Sequence, residues 1–328
     1  MKIDIFPHIL PKKYMEALPN FPEKKSIIDV TPAISDLEFR FRIMDKYDVM
    51  QVLTPAYPPI EDVADPAKAA DLAKLANDEL AELVTKYPDR FVGAVACLPM
   101  NNIDAALKEV DRAISELRLK GVLIYVPTND KPPDSPEFMP LYEKMAQYNL
   151  PIWLHPRRSA DYPDYRTTEK SMYSIYHVFG WPYETTAAMA HFVFGGIFDK
   201  FPNLKIITHH AGAMVPYFEQ RIRCFYDKAE MNLGLEYLQG LTKAPIDYFK
   251  MFYNDTATSG SMPGLMCAYA FFGADHLLFG TDMPLGDSQR GFRITRQIIE
   301  AIEQMDIPDA DKKKIFEDNA RQLLRLPV

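Results

Sequence analysis

The sequence of 328 residues predicts an α/β protein, a (β/α)8 TIM barrel, on three observations. Eight short apolar runs rich in β-branched and aromatic residues recur along the chain. Amphipathic segments with apolar residues three and four apart lie between them. No G-x-G-x-x-G or G-x-x-x-x-G-K-[ST] loop follows the first run, as an open doubly wound sheet would more often show.

Taken in order, KIDIFPHI alternates like a half-buried strand and puts Asp4, Phe6 and His8 on one face. VMQVLTP, RFVGAVACLP, GVLIYV, LPIWLHP, LKIITHH, MFYNDTA and HLLFGTD follow, each bounded by Pro, Gly or polar residues. DPAKAADLAKLANDELAELVTKY is a helix between the second and third runs, and NIDAALKEVDRAISELRL one between the third and fourth. PDADKKKIFEDNARQLLRL closes the chain as a helix with Pro and Asp at its start. No low-complexity linker divides the sequence, so residues 1–328 read as a single domain. Two insertions follow strands, residues 19–35 and residues 157–181, the latter carrying Tyr162, Tyr165, Tyr173 and Tyr176. Both are expected over the C-terminal face of the barrel, as lids or interface segments.

Composition narrows the function. A 48% hydrophobic content fills a large core. The net charge of −8, with no run of Lys or Arg, leaves no electrostatic footprint for nucleic acid or an anionic membrane. A small-molecule or protein partner is expected instead. Cys97, Cys224 and Cys267 are too few and scattered for a disulfide framework, which points to a reducing cytoplasm. No apolar run reaches membrane-spanning length and the N-terminus has no signal-peptide pattern, so a soluble protein is expected.

The polar residues of interest cluster at strand ends. His8, His155, His209 and His210 end the first, fifth and sixth strands, and Asp282 ends the eighth. A barrel brings these positions to one mouth, where imidazole and carboxylate suit a divalent ion such as zinc or manganese. A lone strand-end histidine is more often a hydrogen-bonded residue near the core; several together weaken that reading. Neighbours on a strand face opposite sides, so His209 and His210 are not expected both to point inward. His210, last before the turn AGAMVP, is the functional expectation, with His209 in a supporting or packing role. His177, His191 and His276 are assigned to a lid, a helix face and a strand entry.

IDIFPHILP, LPIWLHP, FPNLKIITHHAGAMVP and LLFGTDMPLG, in this order and across nearly the whole chain, resemble the amidohydrolase-related group of the amidohydrolase superfamily. That group includes aminocarboxymuconate semialdehyde decarboxylase and several aromatic-acid decarboxylases. NDELAELVTKYPDRFVGAVACLP, YETTAAMAHFVFGGIFDKFPNL and NARQLL strengthen the resemblance. It implies a barrel of the metal-dependent hydrolase type, with His8, His155 and Asp282 as ligands of one divalent ion, zinc first and manganese second. It also implies proton transfer through His210 and Asp282. In that group the first strand ends H-x-H or E-x-H, whereas here the pair is Phe6 and His8, so one customary ligand is missing.

Three functions follow from this reading. The first is non-oxidative decarboxylation of a small carboxylated, aromatic substrate. The second is a metal-dependent hydrolase or hydratase on the same scaffold, and the third a catalytically silent barrel serving as a partner subunit. Phe6, Tyr57, Arg157 and Trp181 are the expected substrate-contacting residues, Arg157 as a carboxylate partner in an H-P-R sequence and the aromatics as walls for a ring. Asp4 is expected one layer deeper, bonded into the barrel floor. The tyrosine-rich insertion favours a homodimer or higher homo-oligomer.

Overall fold

The computed structural model describes residues 1–19, 31–229, 240–287 and 289–327. Nine strand segments among them, with the backbone of Leu277 to Phe279, build a closed ring. Strands β1 (Lys2–Asp4) and β2 (His8–Ile9) are two halves of the first stave, and both pair in parallel with β3 (Val49–Pro55). The third stave is also split. Its first half, β4 (Phe91–Ala94), pairs with β3, and its second half, β5 (Ala96–Cys97), pairs with β6 (Val122–Val126). Parallel pairing then runs through β7 (Ile152–Pro156), β8 (Ile206–Thr208) and β9 (Tyr253–Asn254). The eighth stave is the backbone of Leu277 to Phe279. Leu278 N–H donates to Asn254 O at 2.8 Å, and Ile5 N–H to Phe279 O at 2.9 Å, which closes the ring. All eight apolar runs are therefore staves of one barrel.

The helices pack outside. In Pro66–Lys86 the Asp65 carboxylate accepts from Ala67 and Lys68 N–H, which satisfies donors that the first turn otherwise leaves open. Ile103–Asp111 is capped by Asn102 and runs on into a π turn, Arg112–Glu116. The closing helix comes in two pieces, Asp309–Lys313 and Asn319–Leu324, joined by a π turn.

Strand parity sorts the staves into two cores. Ile3, Val52, Leu123, Tyr125, Trp153, Ile207 and Leu278 fill the barrel interior, while Val122, Ile124, Ile152, Leu154 and Ile206 face the helices. Beneath the mouth lies a buried polar layer. Asp4 accepts from Phe6 N–H and Thr281 N–H, at 3.1 and 3.0 Å, and from the Thr281 hydroxyl. Burial pushes its carboxyl up to about 7 against the lowering effect of these bonds and of Arg40. Arg40, with no exposed surface, donates to Ala33 O at 3.0 Å, to Gln51 Oε1 at 2.8 Å and to the carbonyl of His8.

Of the expected insertion at 19–35, residues 20–30 lie outside the described residues, and Pro32–Ile34 forms a 3-10 turn. Residues 157–181 connect β7 to the helix Trp181–Phe194.

Candidate metal centre at the barrel mouth

Parity on the inner face delivers the first three imidazoles. His8 ends the first stave, His155 follows Trp153 by two residues on β7, and His209 follows Ile207 by two just beyond β8. The rings of His8 and His155 lie 5.2 Å apart and those of His155 and His209 5.1 Å apart. One nitrogen of each is anchored. His8 Nδ1 bonds Pro55 O at 3.1 Å, His155 Nδ1 bonds Pro156 O at 2.7 Å, and His209 Nδ1 bonds the Asp255 carboxylate. The carbonyl bonds fix Nδ1–H tautomers, which leaves the Nε2 lone pairs of His8 and His155 as the free donors.

Those donors converge. Ligand atoms from His8, His155 and His209 lie within 4.8 Å of one another, and so do ligand atoms from His209, His210 and Asp282. Asp282 Oδ1 stands 3.1 Å from His8 Nε2 and 3.5 Å from His209 Nε2. Both nitrogens are buried without a hydrogen-bond partner among the described residues. Buried polar atoms left open in this way, aimed at one carboxylate, fit a cation. Asp282 itself has φ 63° and donates its N–H to Phe6 O at 3.1 Å.

Electrostatics follow from this crowding. Burial would push the Asp282 carboxyl up, but the imidazoles of His209 and His8 outweigh it and hold it well below the usual carboxylate range. Burial, then the neighbouring His209 and His8, holds His155 well below an ordinary histidine. Burial disfavours charge on His209 as well, yet Asp255 and Asp282 prevail and push it up to about 10. His210 is lowered by burial and by His209 to about 3, and is therefore neutral near pH 7.

The structure corrects the sequence reading of His209 and His210. His209 and His210 both turn toward the site. His209 obeys inward parity, and His210 escapes alternation because it lies beyond β8 with φ 58°. Its ring sits 3.9 Å from that of His209 and its buried Nδ1 has no partner among the described residues. His209, read from the sequence as a supporting or packing residue, belongs to both ligand groups. Parity counted from Ile207 was the signal that would have placed it.

Phe6 points inward beside His8, fully buried, with its ring edge-on to His8 at 5.5 Å and stacked on His209 at 4.1 Å. Trp181 meets His155 at 5.4 Å and Tyr57 at 6.1 Å, so both expected aromatic walls stand at the mouth. Asp4 departs from the face expected of it: its neighbour Ile3 takes the interior position on β1, and Asp4, paired in register with Gln51, bonds Thr281 on the side of Arg40 instead of lining up beneath Phe6 and His8. Arg157 is placed differently: its guanidinium bonds Asp62 at 2.7 Å and Asp130 at 3.1 Å, so two rim carboxylates already hold the charge that was assigned to substrate. His177 stacks edge-on against Trp181 at 4.3 Å, while His191 pairs with Asp134 and His276 lies flat on Tyr253, away from the cluster.

Two residues of the site were not foreseen. Asp255 orients His209. Tyr125, buried on the inner face of β6 with its ring 4.9 Å from His155, has a hydroxyl with no hydrogen-bond partner among the described residues. Its interior parity in GVLIYV was the available signal.

Known proteins resemble this chain in sequence and fold. The family model described as Amidohydrolase matches residues 6–326. A gamma-resorcylate decarboxylase from Polaromonas sp. is 32% identical over 88% of this chain and 86% of its own length. A 2-amino-3-carboxymuconate-6-semialdehyde decarboxylase from Dictyostelium discoideum is 28% identical over 99% of this chain and 92% of its own. Among solved structures, a dihydroxybenzoic acid decarboxylase from Polaromonas sp. with bound manganese and the inhibitor 2-nitroresorcinol superposes with TM-score 0.82. It is 27% identical, covering 99% of this chain and 96% of that one. With the family match spanning nearly every residue, and with strand-end histidines and Asp282 gathered at the mouth of a closed barrel, the chain belongs to the amidohydrolase family.

Proposed function

We propose that this protein is a metal-dependent, non-oxidative decarboxylase of a small aromatic carboxylate bearing a ring hydroxyl. The observation that carries the reading is the gathering of anchored imidazoles and Asp282 at the mouth, in two ligand groups that share His209, in a chain related over most of its length to a gamma-resorcylate decarboxylase. His8, His155 and Asp282 would hold the ion, Asp282 Oδ1 standing 3.1 Å from His8 Nε2 and the His155 ring 5.2 Å from that of His8. Nitrogen-rich donors favour zinc, and the manganese bound by the Polaromonas protein makes manganese the alternative to separate by elemental analysis. The ion supplies Lewis acidity toward the substrate carboxylate or its neighbouring hydroxyl.

The chain's own residues do the rest. Phe6, Tyr57 and Trp181 wall a flat, apolar slot that orients the ring and excludes water. Decarboxylation exchanges a carboxylate for a proton: the ring carbon gains hydrogen, the carbon–carbon bond breaks, and its electron pair returns to the ring as carbon dioxide leaves. His210 and Asp282, adjacent at the mouth, are the groups that would carry that proton. Arg157 would meet a carboxylate at the rim by exchanging Asp62 or Asp130.

The same reading makes residues 1–328 one domain in a reducing cytoplasm. Cys97, Cys224 and Cys267 are free, and among the described residues no helix is long and apolar enough to cross a membrane. It also makes the protein a homodimer or higher homo-oligomer. Tyr165, Tyr173, Val178 and Phe179 of the segment after β7 are exposed large apolar side chains, a composition suited to an interface.

The test is carbon dioxide release from a panel of hydroxybenzoates that includes 2,6-dihydroxybenzoate, run with metal analysis and light scattering for mass. Release that depends on the metal supports the proposal. Water-dependent opening of an ester or lactone without carbon dioxide would replace it with a hydrolase. Absence of metal and activity, together with co-purification of a related chain, would replace it with a silent partner subunit.

A further inference from the structure

We propose that His209 supplies the metal ligand that Phe6 does not, so that the centre holds its ion through His8, His155, His209 and Asp282. This rests on the metal reading above and adds to it the origin of the fourth donor.

Four independent features of the structure support it. First, His209 Nδ1 is committed to Asp255, the carboxylate–histidine pairing that fixes a ligand's ring and raises its basicity. Second, its Nε2 is buried and without a partner among the described residues, as is that of His8. Third, the spacings suit a shared ion. Ligands bonded at about 2.1 Å stand about 3.0 Å apart at right angles and about 3.4 Å apart at tetrahedral angles. His8 Nε2 and His209 Nε2 lie 3.1 and 3.5 Å from Asp282 Oδ1. Fourth, Phe6 stacks on the His209 ring with centroids 4.1 Å apart and planes 21° apart, which limits the ring to the orientation that aims Nε2 at the mouth. Phe6 is then a positioning residue, and the absent first-strand ligand and the ligand after β8 are two sides of one rearrangement.

His210 shares a buried nitrogen but, among the described residues, lacks the carboxylate anchor and the stacked Phe6 ring that fix His209. Its Nδ1 has no partner among the described residues, and no hydrogen bond fixes its tautomer, so it stays available for proton transfer.

The experiment strips the purified full-length protein with a chelator and titrates it with zinc and with manganese against a competing indicator. Cobalt(II) absorption reports the donor set independently of activity. His209→Ala should weaken binding by more than about 100-fold and change the cobalt spectrum, since loss of a supporting partner alone costs about 10–100-fold. Asp255→Asn, the variant that keeps the fold if His209→Ala does not, should fall in that 10–100-fold range. His210→Ala should stay within about threefold, as its ring is outside the proposed donor set. The double variant Phe6→His/His209→Ala should recover affinity relative to His209→Ala, because it restores the first-strand ligand.

If His8→Ala abolishes binding while His209→Ala and Asp255→Asn keep wild-type affinity and cobalt spectrum, His209 is not a ligand and the metal reading stands without it. If the wild-type protein binds neither zinc nor manganese, the metal reading fails and this inference fails with it.

Discussion

Replacing Arg40 with methionine tests whether the layer beneath the mouth holds the site in place. The guanidinium is wholly buried and donates to Ala33 O, Gln51 Oε1 and the carbonyl of His8. Methionine preserves the unbranched stem and removes every donor. Each buried acceptor stripped of its partner costs about 1–3 kcal/mol, so three cost about 3–9 kcal/mol. Relief from burying a guanidinium returns several kcal/mol. The remainder is about 3 kcal/mol, at the low end of what removing one partner of a buried charged pair costs. Unfolding entropy near 2.1 cal/mol/K per residue gives about 0.7 kcal/mol/K for this chain, so the melting temperature should drop by about 4 °C. Differential scanning calorimetry of the metal-free protein measures it. Arg40 bonds the backbone of His8, so metal affinity should fall as well, even after correction for the unfolded fraction. A melting temperature within about 1 °C of wild type, with unchanged affinity, would refute the claim that this network supports the mouth.

Three further outcomes are expected. Tyr125→Phe removes only the open hydroxyl beside His155; it should raise KM for hydroxybenzoates about tenfold, as loss of one hydrogen bond to substrate would, while leaving metal content unchanged, and an unaltered KM would remove Tyr125 from the pocket. Asp4 has its folded-state carboxyl at about 7, above its value of 3.8 in an unfolded chain, so the folded form binds the extra proton. Its contribution to stability is then full below about pH 4 and is lost as pH rises through 7, and urea unfolding between pH 5.5 and 8.5 should show a steeper loss in wild type than in Asp4→Asn. Gly121 has φ 152°, and a Cβ there would lie 2.2 Å from Pro151 O and 2.6 Å from the Trp153 ring; Gly121→Ala should lose more than about 3 kcal/mol and accumulate in inclusion bodies, and soluble protein with native melting would contradict the packing described.

The eight staves were legible in the sequence because a buried parallel strand is an apolar run of fixed length punctuated by turn residues, and that pattern is local. His8, His155 and Asp282 were legible as mouth residues for the same reason: each ends such a run, and a barrel brings strand ends together whatever their separation along the chain, while Phe6 was legible by alternation from His8. Where the chain leaves the strand, local pattern stops being informative. Alternation applied to His209 and His210 separated two side chains that the structure brings together, because the positive φ of His210 lies beyond the last ladder bond of β8. Arg157 was placed by its neighbour His155, but its guanidinium goes to Asp62 and Asp130, 95 and 27 residues away in sequence. The pairing of His209 with Asp255 and the stacking of Phe6 on His209 likewise join staves that are distant along the chain. The chain's local periodicity settles which residues reach the mouth; the closure of the barrel settles which of them meet, because hydrogen bonds and ring contacts depend on distances that only the assembled staves set.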